Sequence, residues 1–185
     1  SDVYQRQNTS IVKMVAALSG LLKNMAKGFN EKVTLREELK FLEDYITIEK
    51  MRYMEMFDVE TQVEKEELYE AKIIKLTLQP LVEKAIFSGI EPGGKNGNIR
   101  IHIWQEENRL CVSVRDDGVG MTEEKIREIM ENPQKRKGDT MSGIGLPNVD
   151  QRIKLVYGES YGIHIRSRVG EYTEILVTLP IEYGK

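Results

Sequence analysis

Two glycine-bearing segments, Asp116-Asp117-Gly118-Val119-Gly120 and Ser142-Gly143-Ile144-Gly145-Leu146, flank a charged, lysine-rich stretch, and they constrain this 185-residue chain more than any other feature. The first follows an alternating run in which Leu110, Val112 and Val114 share one face of a strand, so Asp116 falls at a strand end. An ionised carboxylate there only accepts hydrogen bonds, and can take one from the exocyclic amine of a flat ring such as adenine. Gly118 and Gly120 would let backbone approach that ring closely. The same residues also suit a tight turn with a solvated Asp-Asp pair. The second segment runs into Pro147 to Tyr157, where Leu146, Val149, Ile153 and Val156 keep helical spacing and Gly158 supplies a stop. Proline suits a first helical turn, so Gly143-Ile144-Gly145 lies at a helix N-terminus, where backbone N–H groups and the helix dipole favour phosphate. Together the segments read as two walls of a nucleotide pocket.

The chain opens with a helix in which Ile11, Val15, Leu18, Leu22 and Met25 form a narrow apolar seam, able to pair with a second copy but only two heptads long. Gly28 and Asn30 punctuate it. Thr34-Leu35-Arg36-Glu37 is a capping box, after which Leu35, Leu39, Leu42 and Ile46 keep helical spacing to about Tyr53. Residues 1–54 are thus expected to be connector helices and 55–185 a compact domain. Phe57, Val59, Thr61 and Val63 alternate as an edge-like strand, a helix is expected from about Thr77 to Ser88, and Ile99, Ile101 and Ile103 alternate with Arg100, His102 and Trp104. Glu106-Glu107-Asn108 makes a hairpin to the strand ending at Asp116. Tyr161–Ser167 and Thr173–Leu179 read as the last two strands.

Composition excludes some classes. With 40% hydrophobic residues, the chain has enough apolar side chain for one sizeable core, and its net charge of −3 argues against a nucleic-acid partner. The single cysteine, Cys111, lies within a predicted strand and reads as a buried, inert thiol in a reducing compartment. No run approaches the ~20 apolar residues of a membrane span. The first residue is Ser1 rather than methionine, so a piece of a larger protein is expected.

Leu76-Thr77-Leu78-Gln79-Pro80-Leu81-Val82-Glu83-Lys84-Ala85-Ile86, then Asp116 to Met121, then Ser142 to Val149, resemble in order and spacing the N box and the two glycine boxes of bacterial sensor histidine kinases of the LytS/YesM type. Val33 to Leu39, with Tyr45, Ile48, Glu49 and Arg52 behind it, is similar to the helix that precedes the ATP-binding domain in that type. The resemblance spans nearly the whole chain. It implies an α+β fold, a two-layer α/β sandwich with helices on one face of a mixed sheet, shared with type II topoisomerases, mismatch-repair ATPases and a heat-shock chaperone. It further implies an ATP site made by Lys84, Ser88, Asp116, Gly118, Gly120, Met121, Ser142, Gly143, Ile144, Gly145, Leu146 and Thr173, with Glu83 as the general base. The segment from Thr122 to Gly138 resembles the ATP lid, with Thr122 capping a short helix, Ile126 and Ile129 inward, Asn132-Pro133 ending it, and Lys135-Arg136-Lys137-Gly138 either folding over a triphosphate or simply facing water.

The chain departs from the family pattern in the N box. Lys84 stands where an asparagine ligates magnesium, Phe87 where a lysine meets the phosphates, and Ser88 where histidine is common. A lysine ammonium has three donors and no acceptor, so magnesium is not expected to be held there. Lys84 can instead neutralise phosphate directly. Glu83 reads either as a base beside the phosphates or as a solvated helix-face carboxylate. Tyr172 replaces the second glycine of the family's Gly-x-Gly-Thr. The only histidines, His102 and His164, alternate with isoleucines in predicted strands, and a structural or surface role is expected for both. The accepting histidine of this family lies upstream on a helix that these residues do not include.

Two functions follow. One is the catalytic, ATP-binding part of a two-component sensor kinase anchored in the membrane, its catalytic domain cytoplasmic, transferring the γ-phosphoryl group to a histidine outside this chain. Its expected partners are the histidine-bearing dimerisation segment, a response regulator and a second copy. The alternative is a degenerate nucleotide-binding or dimerisation module without kinase activity, which the N-box substitutions favour and the retained glycine boxes oppose. A non-kinase ATPase of the same superfamily fits poorly with the connector helices.

Overall fold

A computed structural model describes residues 2–25, 31–131 and 145–184. Helix α1 (Asp2–Met25) is followed by strand β1 (Lys32–Thr34), helix α2 (Leu35–Arg52), β2 (Phe57–Val63), β3 (Lys72–Ile74), α3 (Gln79–Lys84), β4 (Gly97–Glu106), β5 (Arg109–Asp116), α4 (Glu123–Glu131), α5 (Leu146–Tyr157), β6 (Gly162–Arg168) and β7 (Tyr172–Pro180). The main sheet has five strands in the order β2-β4-β5-β7-β6. Only β2 and β4 run parallel; the other pairs are antiparallel.

The period-2 alternation read from the sequence sorts the sheet into two faces. Ile99, Ile101 and Ile103 of β4, Leu110, Val112 and Val114 of β5, and Ile175, Val177 and Leu179 of β7 are all buried on one face, which the helices cover. Arg100, Arg115, His164 and Arg166 point the other way and are mostly exposed. This is the expected α+β two-layer arrangement, and β2 is the expected edge strand. Cys111 is buried, and burial raises its thiol pKa, as an inert sulfur requires.

The capping box holds. Glu37 N donates to Thr34 Oγ1 at 3.2 Å, and Thr34 N donates to Glu37 Oε2 at 2.8 Å. From that start α2 buries Leu35, Leu39, Leu42 and Tyr45 in the same core as the sheet. Strands β1 and β3, which the sequence reading lacked, pair antiparallel beside it and bring Val33 opposite Ile73. In α1, Ala17 is buried, while Ile11, Val15 and Leu18 are each at least half exposed; the side chains of Leu22 and Met25 lie outside the described residues.

Two expectations need correction. The helix expected over Thr77 to Ser88 is α-helical only from Gln79 to Lys84, and Ala85–Ile90 continues as a wider π-type turn. Its start is delayed because Leu76 has a φ of 59° and the Thr77 hydroxyl donates back to Ile74 O, so neither residue is available for the first turn. In α5, Leu146, Val149 and Ile153 are buried as expected, but Val156 in the last turn is exposed.

Candidate functional site

Asp116 closes β5 on the helix-covered face, between Ile99 of β4 and Thr173 of β7. It is 1% exposed, and Thr173 is 3% exposed. Burial lifts the Asp116 carboxyl from its ordinary 3.8 to about 6, against the opposing pull of the Gly118 and Thr173 backbone amides. Gly118 N donates to its Oδ1 at 3.0 Å. At pH 7 it is therefore mainly a buried carboxylate whose acceptor sites outnumber its protein donors. The neighbouring Asp117 faces the other way: its Oδ1 takes the Asn98 N–H at 2.7 Å and its Oδ2 the Asn98 side-chain amide at 2.8 Å. The pair thus divides its labour, one acid pinning β4 and one turned into the core side. The solvated-pair reading of this turn is excluded for Asp116.

Ser167, which sequence reasoning missed, ties Thr173 to the first glycine segment. Its hydroxyl lies 3.0 Å from Thr173 Oγ1, donates to Tyr172 O at 2.7 Å, and accepts the Met121 N–H at 2.7 Å. Met121 itself packs into the core. The side chain of Tyr172, the departure from Gly-x-Gly-Thr, turns to the opposite face, where the Arg115 guanidinium lies 3.8 Å from the ring centroid. The substitution therefore leaves the Thr173 position intact.

The glycines act by close approach. Gly120 has a φ of 65°, a left-handed conformation that disfavours any side chain. A Cβ on Gly118 would overlap the backbone of Gly89, and one on Gly89, at the end of the N box, would overlap the Asp116 carboxylate. Val119 N also donates to Gly89 O at 3.0 Å. Gly89 carried no signal in sequence beyond its proximity to the N box. Gly89→Ala must displace either the turn or the acid. Because a charge-assisted hydrogen bond is worth about 1.5–3 kcal/mol, we expect ATP affinity to fall about tenfold or more. Calorimetric titration checks this, with a melting curve to show that the variant is folded; unchanged affinity would refute the contact.

Glu83 is 1% exposed, so it is not a solvated helix-face residue. It lies within electrostatic reach of two buried groups of α2. Burial, and then the Glu83 charge, holds the Tyr45 hydroxyl well above its ordinary pKa. Burial likewise raises the Glu49 carboxyl, Arg52 opposes the rise, and Glu83 adds to it. Among the described residues neither Tyr45 Oη nor the Glu49 oxygens have a hydrogen-bond partner, and Arg52 Nη1 stands 3.7 Å from Glu49 Oε2. Lys84, Phe87 and Ser88 are half-buried. Arg52 of α2 also places its guanidinium 5.5 Å from the centre of the Phe87 ring.

In the second glycine segment, Ser142, Gly143 and Ile144 lie outside the described residues, as does Lys135-Arg136-Lys137-Gly138. Gly145 is the N-cap of α5 with a φ of −83°, and its carbonyl accepts the Asn148 N–H at 3.0 Å. Leu146 is buried in the core, so only its backbone is available to a ligand. Thr122 caps α4 through the Lys125 N–H at 3.2 Å, and Ile126 and Ile129 pack against the core as expected. A cleft of about 450 Å³ opens at the ends of β2, β4 and β5 and reaches Asp116, with Val59, Ile99, Arg100, Arg115 and Tyr172 also in its lining. Most of its side chains, Arg100, Arg115 and Tyr172 among them, belong to the helix-free face. His102 is on that face too, stacked on Trp104 and 3.0 Å from Glu64, and His164 is exposed.

The chain belongs to the histidine kinase-, DNA gyrase B- and HSP90-like ATPase family, whose model matches residues 71–183. A histidine kinase model matches residues 1–57. The chain is 36% identical to sensor histidine kinase YesM of Bacillus subtilis (strain 168) over 174 residues, 94% of this chain and 28% of that protein. It is 37% identical to sensor histidine kinase YpdA of Escherichia coli (strain K12) over 153 residues, 82% of this chain and 25% of that one. The chain thus spans about a quarter of the length of these curated relatives. The catalytic domain of histidine kinase ThkA matches with a TM-score of 0.59 over 82% of this chain and 95% of that one at 22% identity, which shows a shared fold.

Proposed function

We propose that this chain is the ATP-binding catalytic part of a sensor histidine kinase and passes the γ-phosphoryl group of ATP to a histidine outside these residues. The observation that carries it is Asp116: a buried carboxylate at a strand end, opposite Thr173 and closely approached by Gly89. Asp116 reads the adenine amine, with Thr173 and Ser167 fixing its surroundings. The α5 N-terminus and Lys84 carry phosphate charge, and Glu83 is the candidate base toward the incoming imidazole. Phosphoryl transfer asks a protein mainly for positioning and charge neutralisation, which such a site supplies.

The N box does not fit a magnesium ion held in the usual way. Lys84 offers no acceptor, Phe87 offers none, and among the described residues no three acidic, histidine or cysteine side chains are arranged to hold a metal. No step is therefore routed through a metal. The test is incubation with γ-labelled ATP together with a histidine-bearing segment. Label should pass to histidine in the unaltered protein and not in Asp116→Ala; label transfer that survives Asp116→Ala, or no transfer at all, rejects the proposal.

Residues 1–54 act in this proposal as the connector to the histidine-bearing segment, and the whole protein is membrane-anchored, with this part cytoplasmic and a response regulator downstream. No helix among the described residues is long and apolar enough to cross a membrane. The exposed Ile11, Val15 and Leu18 on α1 support pairing with a second copy. So short a seam predicts weak association, with a dissociation constant no tighter than about micromolar. Sedimentation showing a strict monomer at high concentration would confine the seam to contacts within one chain.

A further inference from the structure

The loop entering α3 is gripped by a residue of the connector helix. Glu38, on α2, is 2% exposed. Its Oε1 accepts the backbone N–H groups of Thr77 at 2.8 Å and Leu78 at 2.9 Å, and its Oε2 accepts that of Leu76 at 3.0 Å. Leu76 has a φ of 59°, a state that a leucine holds only where its surroundings impose it. The preceding carbonyl, Lys75 O, accepts Arg152 Nη2 of α5 at 2.6 Å. Four consecutive residues are therefore held from both sides, their amides by α2 and their carbonyl by α5. Arg152 and Glu38 also stabilise each other's charge.

The next residue, Gln79, begins the helix that carries Glu83 and Lys84, and α5 begins at the second glycine segment. Leu78, the N-cap of α3, supplies no side-chain cap, and the three amides that lead into the helix are accepted by a carboxylate 38 to 40 residues upstream. One buried carboxylate thus sets the register of α3 against the connector, while its counterion sets α5 against the same loop. We infer that Glu38 is a positioning residue for phosphoryl transfer: it fixes Glu83 and Lys84 relative to the nucleotide and couples that geometry to α2. The inference rests on the function proposed above.

Glu38→Gln keeps the size, removes the charge, and puts a donor where an acceptor is needed. In the full-length kinase we expect the rate of phosphoryl transfer to fall at least about tenfold while the dissociation constant for ATP moves less than about threefold, a split that a general loss of structure would not produce. In the 185-residue chain the amide protons of Leu76, Thr77 and Leu78 should shift upfield as their charged acceptor is lost. Combining it with Arg152→Gln should cost little more than Glu38→Gln alone, because the two act through one loop. Should Glu38→Gln fail to fold, Arg152→Gln alone carries the test, with a loss of transfer of about threefold or more at unchanged ATP affinity. Transfer within about twofold of the unaltered protein in either folded variant overturns the inference, as does a loss of ATP affinity equal to the loss of rate. An unaltered protein that binds no ATP overturns the proposed function, and this inference with it. One that binds and transfers normally but is indifferent to Glu38→Gln overturns only the inference.

Discussion

Asp116→Asn should stabilise the unliganded protein at pH 8 and at the same time weaken ATP binding about 10- to 100-fold, which is the range of one charge-assisted hydrogen bond. The two effects have one cause. Asp116 titrates at about 6 in the fold against an ordinary 3.8, with burial the main reason. The folded chain therefore holds more protons than the unfolded chain between those values, and its stability falls as pH rises through that window. Above it, keeping the carboxylate ionised in the core costs on the order of 3 kcal/mol, at 1.36 kcal/mol per pKa unit. Asparagine removes that cost but also the charged acceptor to which the Gly118 N–H donates, so the net gain is smaller, about 1–2 kcal/mol. Melting curves at pH 5 and pH 8 read the stability, and the pH dependence should flatten in the variant. Titration with ATP and GTP reads the binding: the unaltered protein should prefer ATP, and its affinity should fall as pH drops through about 6. Equal affinity for the two nucleotides would remove adenine from Asp116.

A destabilising group kept in a core is a mark of a site rather than of packing. The sequence showed where Asp116 would be because two local patterns met there: the alternation of Leu110, Val112 and Val114, and a pair of glycines. The capping box at Thr34 and the helix from Leu146 were legible for the same reason, since each depends on residues within a few positions of one another. What was not legible depends on distance along the chain. Glu38 holds amides 38 to 40 residues away, Ser167 holds Met121 across 46, and Gly89 matters only because Asp116 lies against it. Glu83 read either as a base beside the phosphates or as a solvated carboxylate, because the groups within its electrostatic reach, Tyr45 and Glu49, belong to another helix. Strands β1 and β3, of three residues each, are too short to show a period.

Lys84→Asn should convert nucleotide binding that is indifferent to magnesium into binding that requires it. In the unaltered protein Lys84 lies on α3, and in the proposed site its ammonium group neutralises phosphate charge without an intermediary. Chelation should then change its ATP affinity by less than about threefold. Asparagine removes that charge and restores a carbonyl acceptor. Without magnesium the variant should bind ATP more weakly than the parent, and with magnesium it should recover, so that chelation costs it about tenfold or more, roughly 1.4 kcal/mol. Transfer to a histidine supplied on the longer protein should rise, because an asparagine carbonyl could hold a metal ion that would supply charge at the γ-phosphate. Phe87 limits the gain, since its ring offers no cation; the Arg52 guanidinium beside it compensates only in part, and adding Phe87→Lys should raise transfer further. Calorimetry with and without chelator, and label transfer on the same two proteins, decide the matter. A parent protein whose ATP affinity already collapses on chelation would show that Lys84 does not replace the metal.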